Sequence, residues 1–126
     1  MNRDIIYKEL SYQLIGFGYQ VFNSLGYGLE EKTYSKIFEQ LLIENKIPYS
    51  KENYCAIKVN ETIVSRNFFD FLVDDTIVIE LKVRDRDYKD VCNQLYRYLK
   101  ASNLKLGIII RFMRDGVKVK RIVNLY

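Results

Sequence analysis

The chain has 126 residues, of which 48% are hydrophobic and 29% are charged, and its formal net charge is +4. This size and composition predict one folded domain over residues 1–126, because two domains need a longer chain and a disordered chain is far less apolar. The sequence contains no histidine, which excludes Ser-His-Asp catalysis, His-based zinc sites and nucleases that use a histidine base.

Features linked to cellular location predict a cytoplasmic protein with no membrane contact. The longest apolar run is well short of the roughly 20 residues of a membrane span, and the N-terminal residues lack the layout of a signal peptide. Cys55 and Cys92 lie far apart without C-x-x-C spacing. We therefore interpret them as reduced thiols rather than as a disulfide.

The hydrophobic pattern predicts helices and strands in a definite order. In chain order these are helices over about residues 4–25 and 29–45, strands over 49–59, 63–73 and 77–83, a helix over 87–102, and strands over 106–112 and 117–123. This order, αα-βββ-α-ββ, predicts an α/β fold with a mixed central sheet of about 4–5 strands flanked by helices.

The apolar stripes of the helices predict which side chains face the core. The predicted inward positions are Ile6, Leu10, Leu14, Phe17 and Val21 in the first helix, Thr33, Ile37, Leu41 and Leu42 in the second, and Val91, Leu95 and Leu99 in the third. Asp87, just ahead of the third helix, is a predicted N-cap.

Three charged residues, Asp70, Glu80 and Lys82, lie inside two apolar runs that an acidic turn joins. Desolvating an unpaired carboxylate costs several kcal/mol in practice, so inward charges in a strand need partners. Two carboxylates and a lysine within an apolar hairpin therefore suggest a metal-binding site. The alternative interpretation is an exposed hairpin face with ordinary mixed charges.

The hairpin register follows from the requirement that a buried face be apolar. A two-residue loop would place Asp70 opposite Ile79 and mix polar and apolar residues on both faces. A three-residue loop places Asp70 opposite Glu80 and makes the other face wholly apolar. The predicted apolar pairs are Val73 with Ile77, Phe71 with Ile79, and Phe69 with Leu81, and Leu72 lies opposite Val78. Adjacent carboxylates cost up to about 1 kcal/mol, which a shared divalent cation would offset.

Three loose motifs occur in order on the expected elements. They are Gly28-x-x-Glu31-x-x-Tyr34, then Asp70 with Glu80-Leu81-Lys82, then Gln94-x-x-x-Tyr98 followed by an apolar strand. Together they resemble the PD-(D/E)XK nuclease superfamily and, within it, the small proteins named for a GxxExxY motif. The resemblance covers nearly the whole chain, and Phe69 stands where the superfamily name has proline.

The resemblance implies a restriction-endonuclease-like core and hydrolysis of phosphodiester bonds in DNA with Mg²⁺ or Mn²⁺. By similarity, Asp70 and Glu80 are the principal metal ligands, helped by the backbone carbonyl of Leu81. Lys82 orients the attacking water or neutralises the phosphate, because the nearby carboxylates favour a charged ammonium. Glu31 reaches the metal directly or through water, or is merely favoured near a helix N-terminus by the helix dipole.

Residues around the carboxylates are candidates for substrate contact. The resemblance makes Gln94 a phosphate-contacting or supporting residue of the site, although an exposed helix position is the alternative. Candidates for nucleic-acid binding are Arg66, Arg84, Arg86, Lys89 and Tyr98. Solvated surface charge is the alternative for the basic residues, and Tyr34 is interpreted as a packing residue.

Three functional hypotheses remain open at this point. The first is a DNA nuclease, in which a homodimer could cut two strands. The second is a catalytically silent nucleic-acid-binding module, and the third is a homodimeric interaction protein. Metal binding that requires Asp70 and Glu80, together with salt-dependent DNA binding, would separate the three.

Overall fold

The computed structural model describes residues 6–84 and 87–125. For residues 52–58 and 63–68 it describes the backbone but not the side chains. Its elements follow the predicted order. They are α1 (Lys8–Leu25), α2 (Glu31–Glu44), β1 (Tyr49–Val59), β2 (Thr62–Val73), β3 (Ile77–Lys82), α3 (Tyr88–Ser102), β4 (Leu106–Met113) and β5 (Gly116–Val123). The predicted ends agree closely, except that α1 begins a turn later than expected.

The five strands form one mixed sheet in the order β1-β2-β3-β4-β5. All neighbouring strands are antiparallel except β3 and β4, which run parallel. A parallel pair needs a crossover connection, and α3 provides it. The sheet with its flanking helices confirms the predicted α/β architecture, and it brings the carboxyl ends of β3 and β4 to the same edge.

Helices cover both faces of the centre of the sheet. On one face α1 and α2 pack over the side chains of Ile77, Ile79 and Leu81. On the other face α3 packs over Val78 and Ile109. Burial on both sides explains why β3 and β4 are almost continuously apolar, and it makes the charge of Glu80 within β3 exceptional.

The helices confirm part of the predicted core. Leu14, Phe17 and Val21 of α1 are buried as expected. In α2 Leu42 is buried as predicted, and Ile37 and Leu41 are partly buried against the core. The buried face is rotated by about one position relative to the prediction, because its other buried residues are Tyr34 and Phe38. The rings explain the rotation, since Tyr34 stacks on Phe112 at 4.4 Å between centroids and Phe38 stacks on Phe71 at 5.4 Å.

Asp87 occupies the predicted N-cap position of α3, but without a capping hydrogen bond to its side chain and without the usual backbone conformation. Asp87 has φ 57° and ψ 24°, which is the left-handed region rather than the extended conformation of an N-cap. The tight packing of α3 against β4 depends instead on Gly107, where an added Cβ would lie 2.7 Å from a methyl carbon of Leu95.

The described residues include a free cysteine, and their helices can be compared with a membrane span. Cys92 is a half-buried free thiol, as predicted, whereas the side chain of Cys55 lies outside the described residues. Within residues 6–84 and 87–125, the helices are too short or too polar to cross a membrane.

Candidate active site

The β2–β3 hairpin has the register that the apolar face predicts. Val73 lies opposite Ile77, and the ladder continues through two further pairs, the last of which joins Phe71 to Ile79. The regular pairing ends there, immediately before Asp70 and Glu80 would face each other. The two carboxylates therefore lie where the strands separate.

At this point side-chain oxygens, rather than backbone carbonyls, accept the hydrogen bonds of the backbone N–H groups. The Leu81 N–H donates a hydrogen bond of 2.7 Å to Oδ2 of Asp70, and the Asp70 N–H donates one of 3.3 Å to Oε1 of Glu80. Each carboxylate thus accepts a backbone hydrogen bond that an undisturbed ladder would give to a carbonyl. These bonds fix both carboxylates side by side at the open end of the hairpin.

The predicted pairing of Phe69 with Leu81 is wrong for the same reason. Leu81 belongs to the core under α1 and α2, whereas Phe69 packs on the α3 face of the sheet. Its ring lies 5.0 Å from that of Tyr98. The separation of the strands at Asp70 interrupts the alternation of side chains and turns Phe69 to the opposite face.

Glu80 is a carboxylate whose negative charge is unfavourable in its surroundings. Its side chain is 10% exposed, and the Nζ of Lys82 lies 3.4 Å from its Oε2. Burial, followed by the negative charge of Asp70, raises the pKa of Glu80 from 4.5 to about 9, and Lys82 opposes this only partly. Without a further cation, the charged pair is therefore unfavourable.

Glu31 joins the site from the first turn of α2. Its Oε1 lies 4.0 Å from the Nζ of Lys82, so Lys82 has carboxylates on two sides. Burial raises the pKa of Glu31, with a smaller contribution of the same sign from Asp70, while Lys82 and Arg84 act in the opposite direction. Glu31 thus pairs with the lysine rather than joining the other two carboxylates directly.

Tyr34 fixes the loop that leads to Glu31. Its buried hydroxyl donates a hydrogen bond of 2.6 Å to the carbonyl of Gly26 and accepts one of 3.2 Å from the N–H of Leu29. The ring is fully buried. The hydroxyl therefore fixes both ends of the loop to the core. This confirms the packing interpretation and adds a function for the hydroxyl.

Removing this hydroxyl with Tyr34→Phe should loosen the loop while keeping the ring in the core. We expect a loss of about 0.5–1.5 kcal/mol in the free energy of unfolding, because the N–H of Leu29 and the carbonyl of Gly26 lose a hydrogen-bond partner at a partly buried position. Urea unfolding measures this loss. Tyr49→Phe is a matched control, since it removes a hydroxyl bonded to Glu39 at 2.6 Å outside the site; equal hydrogen exchange of the 26–29 loop in both variants would contradict the role.

A residue that sequence reasoning did not assign to the site is Arg111. It lies directly beside Lys82 in the parallel β3–β4 pair, and its guanidinium stacks over the ring of Tyr88 at 3.9 Å from the centroid. Adjacent residues of neighbouring strands project to the same face, so Arg111 places a second cation at this edge. The predicted crossover between the strands was the signal that could have revealed it.

The remaining predicted residues differ in their positions. Gln94 is exposed on α3 and shares a helix face with Tyr98, and Arg84 and Lys89 are also exposed. Tyr98 is only 6% exposed, so its proposed contact with nucleic acid is corrected to a packing role against Phe69. The side chain of Arg66 and the whole of Arg86 lie outside the described residues.

The donor set can be compared with what a divalent cation requires. Among the side chains that the structure describes, no three carboxylate, cysteine or histidine groups converge as a complete metal cage. Asp70 and Glu80 nevertheless form a pair of neighbouring oxygen donors, of which Glu80 is buried and Asp70 is half-buried. Mg²⁺ is commonly held by one or two carboxylates, with waters and substrate phosphate completing its octahedron, so the pair fits such an ion.

A solved structure shares this fold. The crystal structure of SSO0001 is 20% identical over 94% of this chain with a TM-score of 0.55, and this chain spans 57% of that protein. The crystal structure of an alkaline exonuclease (LHK-Exo) from Laribacter hongkongensis is 11% identical over 98% of this chain and 72% of its own, with a TM-score of 0.49. No curated protein matches the sequence.

A family model gives the more specific result. The model for the PD-(D/E)XK nuclease superfamily matches residues 8–122, which run from the start of α1 almost to the end of β5. This range includes the acidic pair, Lys82 and Glu31. The chain therefore belongs to the PD-(D/E)XK nuclease superfamily.

Proposed function

We propose that this protein is a Mg²⁺- or Mn²⁺-dependent nuclease that hydrolyses phosphodiester bonds in DNA. The observation that carries the proposal is the pairing of the half-buried Asp70 with the buried Glu80, with the ammonium of Lys82 3.4 Å from Glu80. Ligands in open α/β sheets bind outside the carboxyl ends of the strands, and this pair lies at that edge. Membership of a nuclease superfamily supports the reaction class.

Asp70 and Glu80 would hold the metal, together with the backbone carbonyl of Leu81. When bound, a divalent ion neutralises charge on the phosphate, activates a water molecule and stabilises the leaving oxygen. The pair is suited to this task because its two carboxylates repel each other in a desolvated position. A cation between them would relieve that repulsion.

The neighbouring cations would act on the substrate. Lys82 would orient the attacking water and neutralise charge on the phosphate, because its ammonium is held between Glu80 and Glu31. Glu31 would act through Lys82 or through a water molecule. Arg111, fixed by its stack on Tyr88, would stabilise negative charge that develops on the phosphate, and Gln94 would contact the substrate from α3.

Three finer statements belong to the same proposal. The hydrogen bonds of Tyr34 and the position of Glu31 give the GxxExxY pattern a structural purpose, which supports membership of that subfamily. Residues 1–126 would act as a single domain. A homodimer joined through an outer strand, β1 or β5, would allow both strands of a duplex to be cut.

A cleavage assay tests the proposal. Supercoiled, linear and single-stranded DNA would be incubated with Mg²⁺, with Mn²⁺ or with EDTA. The proteins would be the wild type, Asp70→Asn, Lys82→Met and the control Asp75→Asn, which makes the same substitution in the exposed turn of the hairpin. We expect metal-dependent cleavage by the wild type and the control, and a loss of about a hundredfold or more in the other two.

Two results of this assay would contradict the proposal. Folded wild type that cuts none of these substrates, yet binds DNA, would replace the nuclease with a silent binding module. Cleavage that persists in Asp70→Asn would show that the chemistry lies elsewhere in the molecule.

A further inference from the structure

A cleft of about 670 Å³ opens beside the candidate active site. It lies between the loop that joins α1 to α2 and the end of β3, and its lining includes Tyr27, Leu29, Glu31, Val83 and Arg84. Its volume is within the roughly 300–1,000 Å³ that small-ligand sites occupy. Because Glu31 belongs to the cleft and also pairs with Lys82, the cleft is continuous with the candidate active site.

An aromatic ring forms part of the cleft wall. Tyr27 is 47% exposed, and the guanidinium of Arg114, from the turn between β4 and β5, lies 5.4 Å from its ring centroid. Gly26 and Gly28, on either side, have φ values of 73° and 106°, which other residues rarely adopt. The ring is therefore presented by a tight turn.

The same turn is anchored to the core. The hydroxyl of Tyr34 binds the carbonyl of Gly26 and the N–H of Leu29, which are the residues that bracket Tyr27 and Gly28. An exposed ring on a fixed loop loses little conformational freedom when a flat ligand stacks on it. This arrangement suits recognition better than an exposed tyrosine on a loose segment.

The charges of the cleft are compatible with a phosphate. Glu30 lies 3.5 Å from the ammonium of Lys32, and Glu31 is paired with Lys82, so each carboxylate has a cation beside it. Arg84 is exposed at the cleft and is close enough to lower the pKa of Glu31. Arg114 does not line the cleft, but its exposed guanidinium lies at the ring of Tyr27 and adds a second positive charge nearby.

We propose that this cleft binds an unpaired nucleotide of a DNA substrate next to the scissile bond. The base would stack on Tyr27, and Arg84 would contact a phosphate. Stacking on an aromatic side chain requires an exposed base face, which single-stranded segments offer and the interior of a duplex does not. The inference rests on the proposed nuclease function, and it gives the substrate class as single-stranded DNA, a flap or a frayed end.

Binding measured without cleavage tests this inference. Fluorescence anisotropy would follow a labelled oligothymidylate, and a duplex of the same length, in EDTA. Tyr27→Ala should weaken binding of the single strand about tenfold, while Tyr27→Phe should bind like the wild type. The control is Tyr12→Ala, which removes a ring that is 52% exposed on α1, about 20 Å along the helix from its C-terminal end.

The outcomes separate this inference from the nuclease proposal. Equal binding of the single strand by Tyr27→Ala and wild type overturns the inference, even if the wild type cleaves DNA. Tyr27-dependent binding in a protein that cuts nothing overturns the nuclease proposal, and with it the scissile bond, but supports the cleft as the site of an unpaired nucleotide. Tyr27-dependent binding that is stronger for oligouridylate than for oligothymidylate overturns the assignment of DNA.

Discussion

Glu80→Gln should abolish metal-dependent cleavage and, at the same time, stabilise the metal-free protein. Glutamine has the same shape as glutamate, and its Oε1 can still accept the hydrogen bond from the N–H of Asp70. It cannot supply the negative charge that holds a divalent ion. We expect cleavage to fall by about a hundredfold or more.

The stabilisation has a separate physical cause. At pH 7 the folded protein must either ionise a desolvated Glu80 beside Asp70 or keep a proton on it, whereas the unfolded chain ionises Glu80 in water without that cost. With the pKa of Glu80 raised to about 9, the free energy of unfolding should rise by on the order of 1–3 kcal/mol when the charge is removed. Opposite effects on activity and stability are typical of residues kept for function.

Thermal unfolding in EDTA and a cleavage assay in Mg²⁺ measure the two effects on the same preparation. Glu61→Gln is the matched control, because it makes the same change in the exposed turn between β1 and β2, and it should alter neither quantity. A Glu80→Gln protein that unfolds at a lower temperature than the wild type would show that Glu80 is a stabilising ion pair with Lys82.

The β2–β3 hairpin shows what alternation can predict and where it fails. The register was predictable, since a one-residue slip would move every apolar side chain to the wrong face. The end of the ladder was not predictable from alternation, because it depends on side-chain hydrogen bonds from Leu81 to Asp70 and from Asp70 to Glu80. Phe69 changed face for that reason.

The two cationic residues of the candidate site differ in how far the sequence alone predicts their position. The place of Lys82 beside Glu80 is predictable because both residues lie in the same strand. Arg111 is far from both in sequence and becomes their neighbour only through the parallel pairing of β3 and β4. In the same way, the ring of Tyr34 could be predicted to pack, but its hydroxyl contacts depend on the turn that Gly26 and Gly28 form.

The metal-free protein should also lose stability as pH rises from about 5 to about 9. The pKa of Glu80 is about 9 in the folded state and 4.5 as its ordinary value. Between these values the folded protein holds a proton that the unfolded chain has released, so rising pH favours unfolding. Glu31, whose pKa is also raised by burial, acts in the same direction. The slope due to Glu80 should reach up to about 1.4 kcal/mol per pH unit.

Urea unfolding in EDTA across this range measures the slope. The range begins above pH 4.5 because Glu39, whose pKa is lowered by its hydrogen bond from Tyr49, has the opposite effect in more acidic solution. Glu80→Gln should remove most of the slope and leave the part that is due to Glu31. If the pair holds Mg²⁺ as proposed, excess Mg²⁺ should restore stability most strongly at high pH, because a metal ion binds carboxylates in their deprotonated form. A wild-type curve that is flat in EDTA and parallel to that of Glu80→Gln would mean that Glu80 is ionised throughout, with Lys82 alone stabilising its charge.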